Sequence, residues 1–259
     1  MTRELDVAVA AAEAAGEMLR DSFGRQHQIE YKGEADLVTE ADEEAERKIE
    51  EVLREAFPDH GMLAEEGGET QGQDDARWIV DPLDGTTNYA HGVPFFCTSV
   101  ALERAGEMVL GVVHDPMVNE TYAAERGGGA TLNGEPLEVS STDEPARALL
   151  GTSFADRPEG LKLGLEVFGR LADLARGMRR LGSGALDLCY VAAGRLDGCY
   201  ERGFSAWDVA AGVLIVEEAG GKVTDHRGSG LDPERSEGLV ASNGLIHPSL
   251  VDAARVDEG

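Results

Sequence analysis

Two aspartates three residues apart, Asp81 and Asp84, follow the apolar run Trp78, Ile79 and Val80 and precede Gly85, Thr86, Thr87 and Asn88. The run reads as a short strand that Pro82 stops immediately after Asp81. Carboxylates at the end of a buried strand suit a hard cation such as Mg²⁺, which takes oxygen ligands and leaves positions for water and phosphate. Gly85 permits a tight bend, and Thr86, Thr87 and Asn88 offer hydroxyls, an amide and backbone N–H groups at a helix start, a phosphate-sized cradle. An ordinary turn is the competing reading, because Asp, Pro and Gly favour turns through local geometry alone. The full string WIVDPLDGTTN is more restrictive than a turn requires.

Activating water on a phosphate ester calls for further acids. Glu65 ends the short apolar strand in LAEEGG, with Glu66 as its register rival, and Asp208 stands near the start of the helix WDVAAG, where the dipole favours an anion. Taken singly, Glu65 reads better as a loop charge and Asp208 as a helix-terminal acid, and their co-occurrence with WIVDPLDGTTN reverses that preference. Asp42 sits at capping-box spacing from Thr39, which explains an acid there without catalysis and is compatible with a carboxylate facing a metal site. Arg179 and Arg180 form either a fork for a second phosphate or the basic edge of a strand. The six histidines are scattered through turns and strand ends, without a nucleophilic arrangement.

WIVDPLDGTTN, together with WDVAAGVLIVEEAGG from Trp207 to Gly221, resembles the two signatures of the inositol monophosphatase family, in order over roughly Asp6 to Pro248. The resemblance implies an α/β (α+β) fold, a layered αβαβα sandwich, with metals where its halves meet. It implies two to three Mg²⁺ ions: Glu65, Asp81 and the Leu83 carbonyl on one, Asp81, Asp84 and Asp208 on another, and a weaker third leaning on Glu65. Thr86 would orient the attacking water with support from Asp42, and the backbone at Gly85 and Thr86 would grip phosphate. Glu201 and the segment Gly182, Ser183 and Gly184 would lie beside the hydroxyl-bearing ring, and Lys32 on a loop near the metals. For Glu201 a plain strand-end charge is the alternative.

The activity so implied is Mg²⁺-dependent hydrolysis of inositol monophosphate, fructose 1,6-bisphosphate or both, as in dual enzymes of archaeal type. Histidinol phosphate and 3′-phosphoadenosine 5′-phosphate are alternative substrates, and a silent or moonlighting binding protein is the alternative of another class. Lithium sensitivity and a homodimer are likewise implied.

Composition narrows the partners. A formal net charge of −27 excludes generic nucleic-acid binding through a basic surface. No run approaches the roughly 20 apolar residues that span a bilayer, and the first helix lacks a signal-peptide layout, so a cytoplasmic protein without a membrane partner is expected. Cys97, Cys189 and Cys199 lack metal-ligand spacing and read as reduced core thiols.

The elements that must position the acids are legible in outline. Helices are predicted over Glu4–Phe23 and from Thr39 to Pro58, the second burying Ala45, Ile49, Val52, Leu53 and Ala56. A turn and strand are expected over Ile29–Val38, a short strand over Gly61–Glu66, and a polar loop over Gly67–Asp75. Strands follow at Val100–Glu103, Met108–His114 and Thr121–Ala124, with Asn133-Gly134 a hairpin signal. Helices at Glu159–Leu174, Ser183–Ala193 and Ala206–Ala219 then alternate with strands at Leu149–Ser153, Leu196–Glu201, Lys222–Asp225 and Leu239–Ala241. Ser140 to Pro145 divides the chain into an N-terminal half, 1–142, carrying most metal ligands, and a C-terminal half, 143–259, carrying the substrate contacts.

Acidity this strong self-repels, and salt shortens the reach of that repulsion. A protein adapted to a salt-rich cytoplasm should therefore melt at higher temperature in roughly 1 M KCl than in dilute buffer. A melting temperature that does not rise would remove the halophilic reading.

Overall fold

Helix α1 (Arg3–Ser22) starts where the Thr2 side chain accepts from the Leu5 N–H, and it buries Leu5, Ala8, Ala12, Ala15 and Leu19 along one face. Helix α2 (Glu40–Ala56) packs beside it through Ala41, Ala45, Ile49 and Leu53, and two acids, Asp42 and Glu46, are buried on the same helix. The computed structural model describes residues 2–24, 29–31, 37–154 and 158–255. Between the helices, β1 (Ile29–Tyr31) pairs antiparallel with β2 (Leu37–Thr39). Lys32 lies outside the described residues.

The first sheet is built from β3 (Gly61–Ala64), β4 (Gly68–Thr70), β5 (Ala76–Asp84), β6 (Cys97–Arg104), β7 (Glu107–Asp115), β8 (Glu120–Glu125), β9 (Gly129–Leu132) and β10 (Glu135–Pro136). Its order is β10-β9-β8-β7-β6-β5-β3-β4, antiparallel throughout except between β3 and β5. Helix α3 (Thr86–Ala90) follows β5 directly. The second sheet takes β11 (Leu149–Phe154), β12 (Gly177–Arg179), β13 (Gly198–Arg202), β14 (Lys222–Asp225) and β15 (Gly238–Ser242) in the order β12-β11-β13-β15-β14. Helices α4 (Pro158–Leu174), α5 (Gly184–Ala192), α6 (Ala206–Glu218) and α7 (His247–Ala254) complete the chain.

Three apolar cores fix the layers. α1 and α2 cover one face of the first sheet, α5 and α6 fill the space between the sheets, and α4 and α7 cover the far face of the second. This is the expected αβαβα sandwich. The Asn133-Gly134 signal is also met: both residues have positive φ, 51° and 83°, as a two-residue hairpin between β9 and β10 requires.

Three expectations need correction. Gly68–Thr70, expected as loop, is a short exposed edge strand, because backbone pairing to β3 suffices without any buried face. Pro82 does not stop β5. The ladder passes from the pair Asp81–Ser99 to the pair Asp84–Cys97, three steps on β5 against two on β6, and a proline without an N–H is tolerated in that bulge. The closing helix α7 was not predicted at all; it is eight residues long, and its buried face is only His247, Leu250, Val251 and Ala254.

The central layer depends on small residues. A Cβ at Gly111 on β7 would stand 2.7 Å from the Ala211 carbonyl oxygen and 2.8 Å from its Cα, so sheet and α6 meet backbone to backbone. Gly111→Ala should therefore cost about 1–3 kcal/mol, the usual penalty of overpacking. Denaturant unfolding measures it, and an unchanged midpoint would mean that the two backbones are not in contact.

Candidate active site

The parallel pairing of β3 and β5 determines where the acids meet. Ala64 is level with Val80, and the Glu65 N–H donates to the Val80 carbonyl at 3.2 Å, so Glu65, just past the end of β3, stands beside Asp81 on β5. Residues three apart on a regular strand face opposite ways; the extra residue of the bulge returns Asp84 to the side of Asp81. Asp81 is 1% exposed, and its Oδ1 accepts the Leu83 N–H at 3.0 Å. Burial, then the charges of Glu65, Asp84 and Asp208, push its carboxyl well above the ordinary range. The four predicted carboxylates are thus brought together.

Each of the other positions is tied to the backbone. Asp84 is raised by burial, against hydrogen bonds from the Ser183 hydroxyl and the N–H groups of Ala185 and Gly184. Ser183 Oγ donates to Asp84 Oδ2 at 2.6 Å and accepts the Leu186 N–H at 3.2 Å, capping α5, while the Ala185 N–H reaches the same carboxylate oxygen at 2.8 Å. Asp208, at the third position of α6, accepts the Ser205 N–H at 2.7 Å through Oδ2. Thr86 Oγ1 donates to the Leu83 carbonyl at 2.9 Å and lies 3.3 Å from Asp42 Oδ1, the contact expected between these two. Asp42 is 1% exposed.

All these donors are carboxylate or carbonyl oxygens, the set that hard cations select, and their mutual repulsion is what a divalent ion relieves. Glu65, Asp81, Asp84, Asp208 and the Leu83 carbonyl therefore fit Mg²⁺ by chemistry. Among the described residues no three His, Cys, Asp or Glu side chains are placed so as to hold a metal ion, so the fit is one of donor chemistry.

Asp84 and Asp208 open onto a cleft of about 270 Å³, room for a small phosphate ester. Asp84, Asp208, Gly182, Gly184, Arg180 and Glu201 contribute to its wall. Gly85 has φ 96°, the left-handed value behind the glycine at this bend. Arg179 and Arg180 make no fork. Arg180 faces the cleft and stacks on the Phe154 ring at 5.0 Å, whereas Arg179 ends the edge strand β12, its Nη1 donating to the Met178 carbonyl; adjacent residues of an extended chain point opposite ways. Ser183 is 1% exposed and holds Asp84 rather than lining the cleft. Neither the cleft wall nor the acid cluster includes a described histidine, and all three cysteines are buried free thiols.

Sequence reasoning missed two contributors, Glu46 and Asp187, and placed Asn88 in the phosphate cradle without its bracing role. Asn88 Nδ2 donates to the carbonyls of Phe95 and Leu181, both at 2.8 Å, tying α3 to the Gly182 turn. Glu46 holds the turn after β3. Asp187 on α5, fully buried, is hydrogen-bonded to Glu201. Apart from that bond, both oxygens of Asp187 and Oε1 of Glu201 have no partner, and two carboxyl groups bond to each other only through a proton. Burial pushes both upward, reinforced by Asp84 on each and by Asp187 on Glu201. An acid on the inner face of a helix was the only available signal.

An acid whose folded pKa is raised keeps its proton while the unfolded chain releases it, so stability falls as pH climbs above about 4, the ordinary carboxylate range. Metal-free protein should show this fall, to which Asp81, Asp84, Asp187 and Glu201 contribute. Asp187→Asn removes one of these groups, and melts in EDTA across acid to mildly alkaline pH should show a smaller decline than wild type. An equal decline would show that Asp187 shares no proton.

Known proteins share this sequence pattern and this fold. The model of the inositol monophosphatase family matches residues 1–257. The chain is 48% identical over 251 residues to an inositol-1-monophosphatase of Rhizobium meliloti, covering 95% of this chain and 94% of that protein. It is 46% identical over 255 residues to the Nus factor SuhB of Pseudomonas aeruginosa, covering 95% and 94%. The crystal structure of the extragenic suppressor protein suhB from Bartonella henselae superposes with a TM-score of 0.95 at 41% identity, over 99% of this chain and all 100% of that one. A match over almost the whole length, with the same layered fold in a solved relative, means that the chain belongs to the inositol monophosphatase family, a family of phosphatases.

Proposed function

We propose that the protein is a Mg²⁺-dependent phosphomonoesterase that hydrolyses inositol monophosphate, fructose 1,6-bisphosphate or both by direct attack of water, and that it works as a homodimer. The observation that carries the reading is the convergence of Glu65, Asp81, Asp84 and Asp208 at one end of the cleft, beside the Thr86–Asp42 contact. Mg²⁺, held by those carboxylates and the Leu83 carbonyl, would supply Lewis acidity toward water and phosphate. Thr86 does the orienting. Its hydroxyl has one proton and two lone pairs; with the proton directed to the Leu83 carbonyl or Asp42, Oγ1 accepts from a water and fixes it. Asp42, buried at the start of α2, keeps that direction. The N–H groups after Gly85 lie next to this hydroxyl and suit a phosphate oxygen. Farther out, Glu201 and Arg180 face the remainder of the substrate, a hydroxyl-bearing ring or a second phosphate. No covalent intermediate is needed.

A binding role on the same fold is the second reading, favoured by the likeness to a protein that carries the name Nus factor. It needs no intact site, whereas the site is intact in every predicted carboxylate.

Phosphate release from inositol 1-phosphate and fructose 1,6-bisphosphate, with and without Mg²⁺, tests the proposal. Turnover should require Mg²⁺. Asp81→Asn should lower it by more than the roughly 10–100-fold typical of an outer-shell residue, while leaving the circular dichroism spectrum unchanged. Absence of turnover on any inositol or sugar phosphate would sink the enzymatic reading in favour of the binding one.

A further inference from the structure

Glu46 is 8% exposed and lies one turn beyond Asp42 on α2. Its Oε2 accepts the Glu66 N–H at 2.8 Å, and its Oε1 lies against Gly67. A Cβ at Gly67 would stand 2.7 Å from Glu46 Oε1, and Gly67 has no left-handed φ. The glycine is there for room, to admit the carboxylate against the chain. Glu65 is consequently fixed on both sides, by its own N–H on the Val80 carbonyl and by the clamp on the two residues after it.

α2 does not need Glu46 for packing, since Ala45, Ile49 and Leu53 already anchor it in the core. A buried acid in place of an apolar residue opposes stability unless its hydrogen bonds are satisfied. Asp42 and Glu46, four residues and about 6 Å apart along the axis, brace the two arms of the site: Asp42 the Thr86 bend, Glu46 the exit of β3.

We infer that Glu46 is a positioning residue for divalent-cation affinity, acting through the backbone of the Glu65–Gly67 turn. The inference rests on the proposed role of Glu65 as a ligand. Substrate is not involved, so the effect falls on Mg²⁺ binding and not on KM at saturating Mg²⁺.

Calorimetric titration of EDTA-stripped protein with Mg²⁺ alone is the test, on wild type, Glu46→Ala, Glu46→Gln and the charge control Glu50→Gln. Glu46→Ala should raise the Kd for Mg²⁺ by about 10–100-fold, as loss of an outer-shell partner does. Glu46→Gln, which keeps one acceptor but turns an amide toward Gly67, should raise it less. Glu50→Gln, equal in charge change, should leave it unaltered, and kcat of Glu46→Ala should recover at high Mg²⁺ with KM unchanged. A folded Glu46→Ala with wild-type Kd overturns the inference; if that variant does not fold, a folded Glu46→Gln with wild-type Kd does so. Wild type that binds no Mg²⁺ overturns the metal reading itself, a separate outcome.

Discussion

Four carboxylates at one end of a cleft repel one another, and burial adds to the cost of keeping them charged. Most of this architecture is organised around that conflict. Asp81 suffers it most, since it is enclosed and faces the other three. A protein that merely needed an acidic surface would have left these groups in water, where screening makes the repulsion slight. Here the fold carries them inward and counters Asp81, Asp84 and Asp208 with hydrogen-bond donors that are part of its secondary structure.

The counterweights come from different layers. The N-terminus of α5 is turned toward Asp84, with Ser183 serving both helix and carboxylate, and α6 begins on Asp208 through the Ser205 N–H. Asp81 takes the N–H of Leu83 from its own bulge, and α2 places Glu46 on the turn beyond Glu65. Three helices and one strand irregularity are thereby committed to one site. The close meeting of β7 with α6 at Gly111 and of α6 with α5 at Gly212 follows the same demand, because both helices must reach the sheet end where the acids collect.

Sequence legibility follows from these mechanics. WIVDPLDGTTN and WDVAAG were readable because ligand and support are adjacent in the chain: the bulge, the bend at Gly85 and the cap at Ser205 are local devices. The misreading of Pro82 arose because a ladder that resumes after a bulge depends on β6, which is remote in sequence. Ser183 was assigned to substrate, since nothing nearby shows that its hydroxyl points at residue 84. Glu46 and Asp187 were invisible for a related reason: in a chain so rich in acids, burial alone distinguishes them, and burial is a property of packing. The double glycine after Glu66 gave no sign of Glu46 either, because only the structure shows that Gly67 lacks the positive φ that usually explains the residue.

The same distinction separates reaction from substrate. The acidic end of the cleft is built from a strand bulge and helix starts whose backbone hydrogen bonds fix Asp81, Asp84 and Asp208, so a small number of sequence patterns can encode it. The outer end is built from Phe154, Arg180, Gly203 and Phe204, contributed by strand ends and connecting segments of the second sheet. Arg180 rests on an aromatic face and makes a long 3.4 Å bond to the Phe154 carbonyl. Buried charge demands exact geometry from its surroundings, whereas a solvated cation above a ring tolerates variation. Electrostatic necessity thus fixes the acidic end of the cleft, and the outer wall is the part of the site that this necessity does not reach.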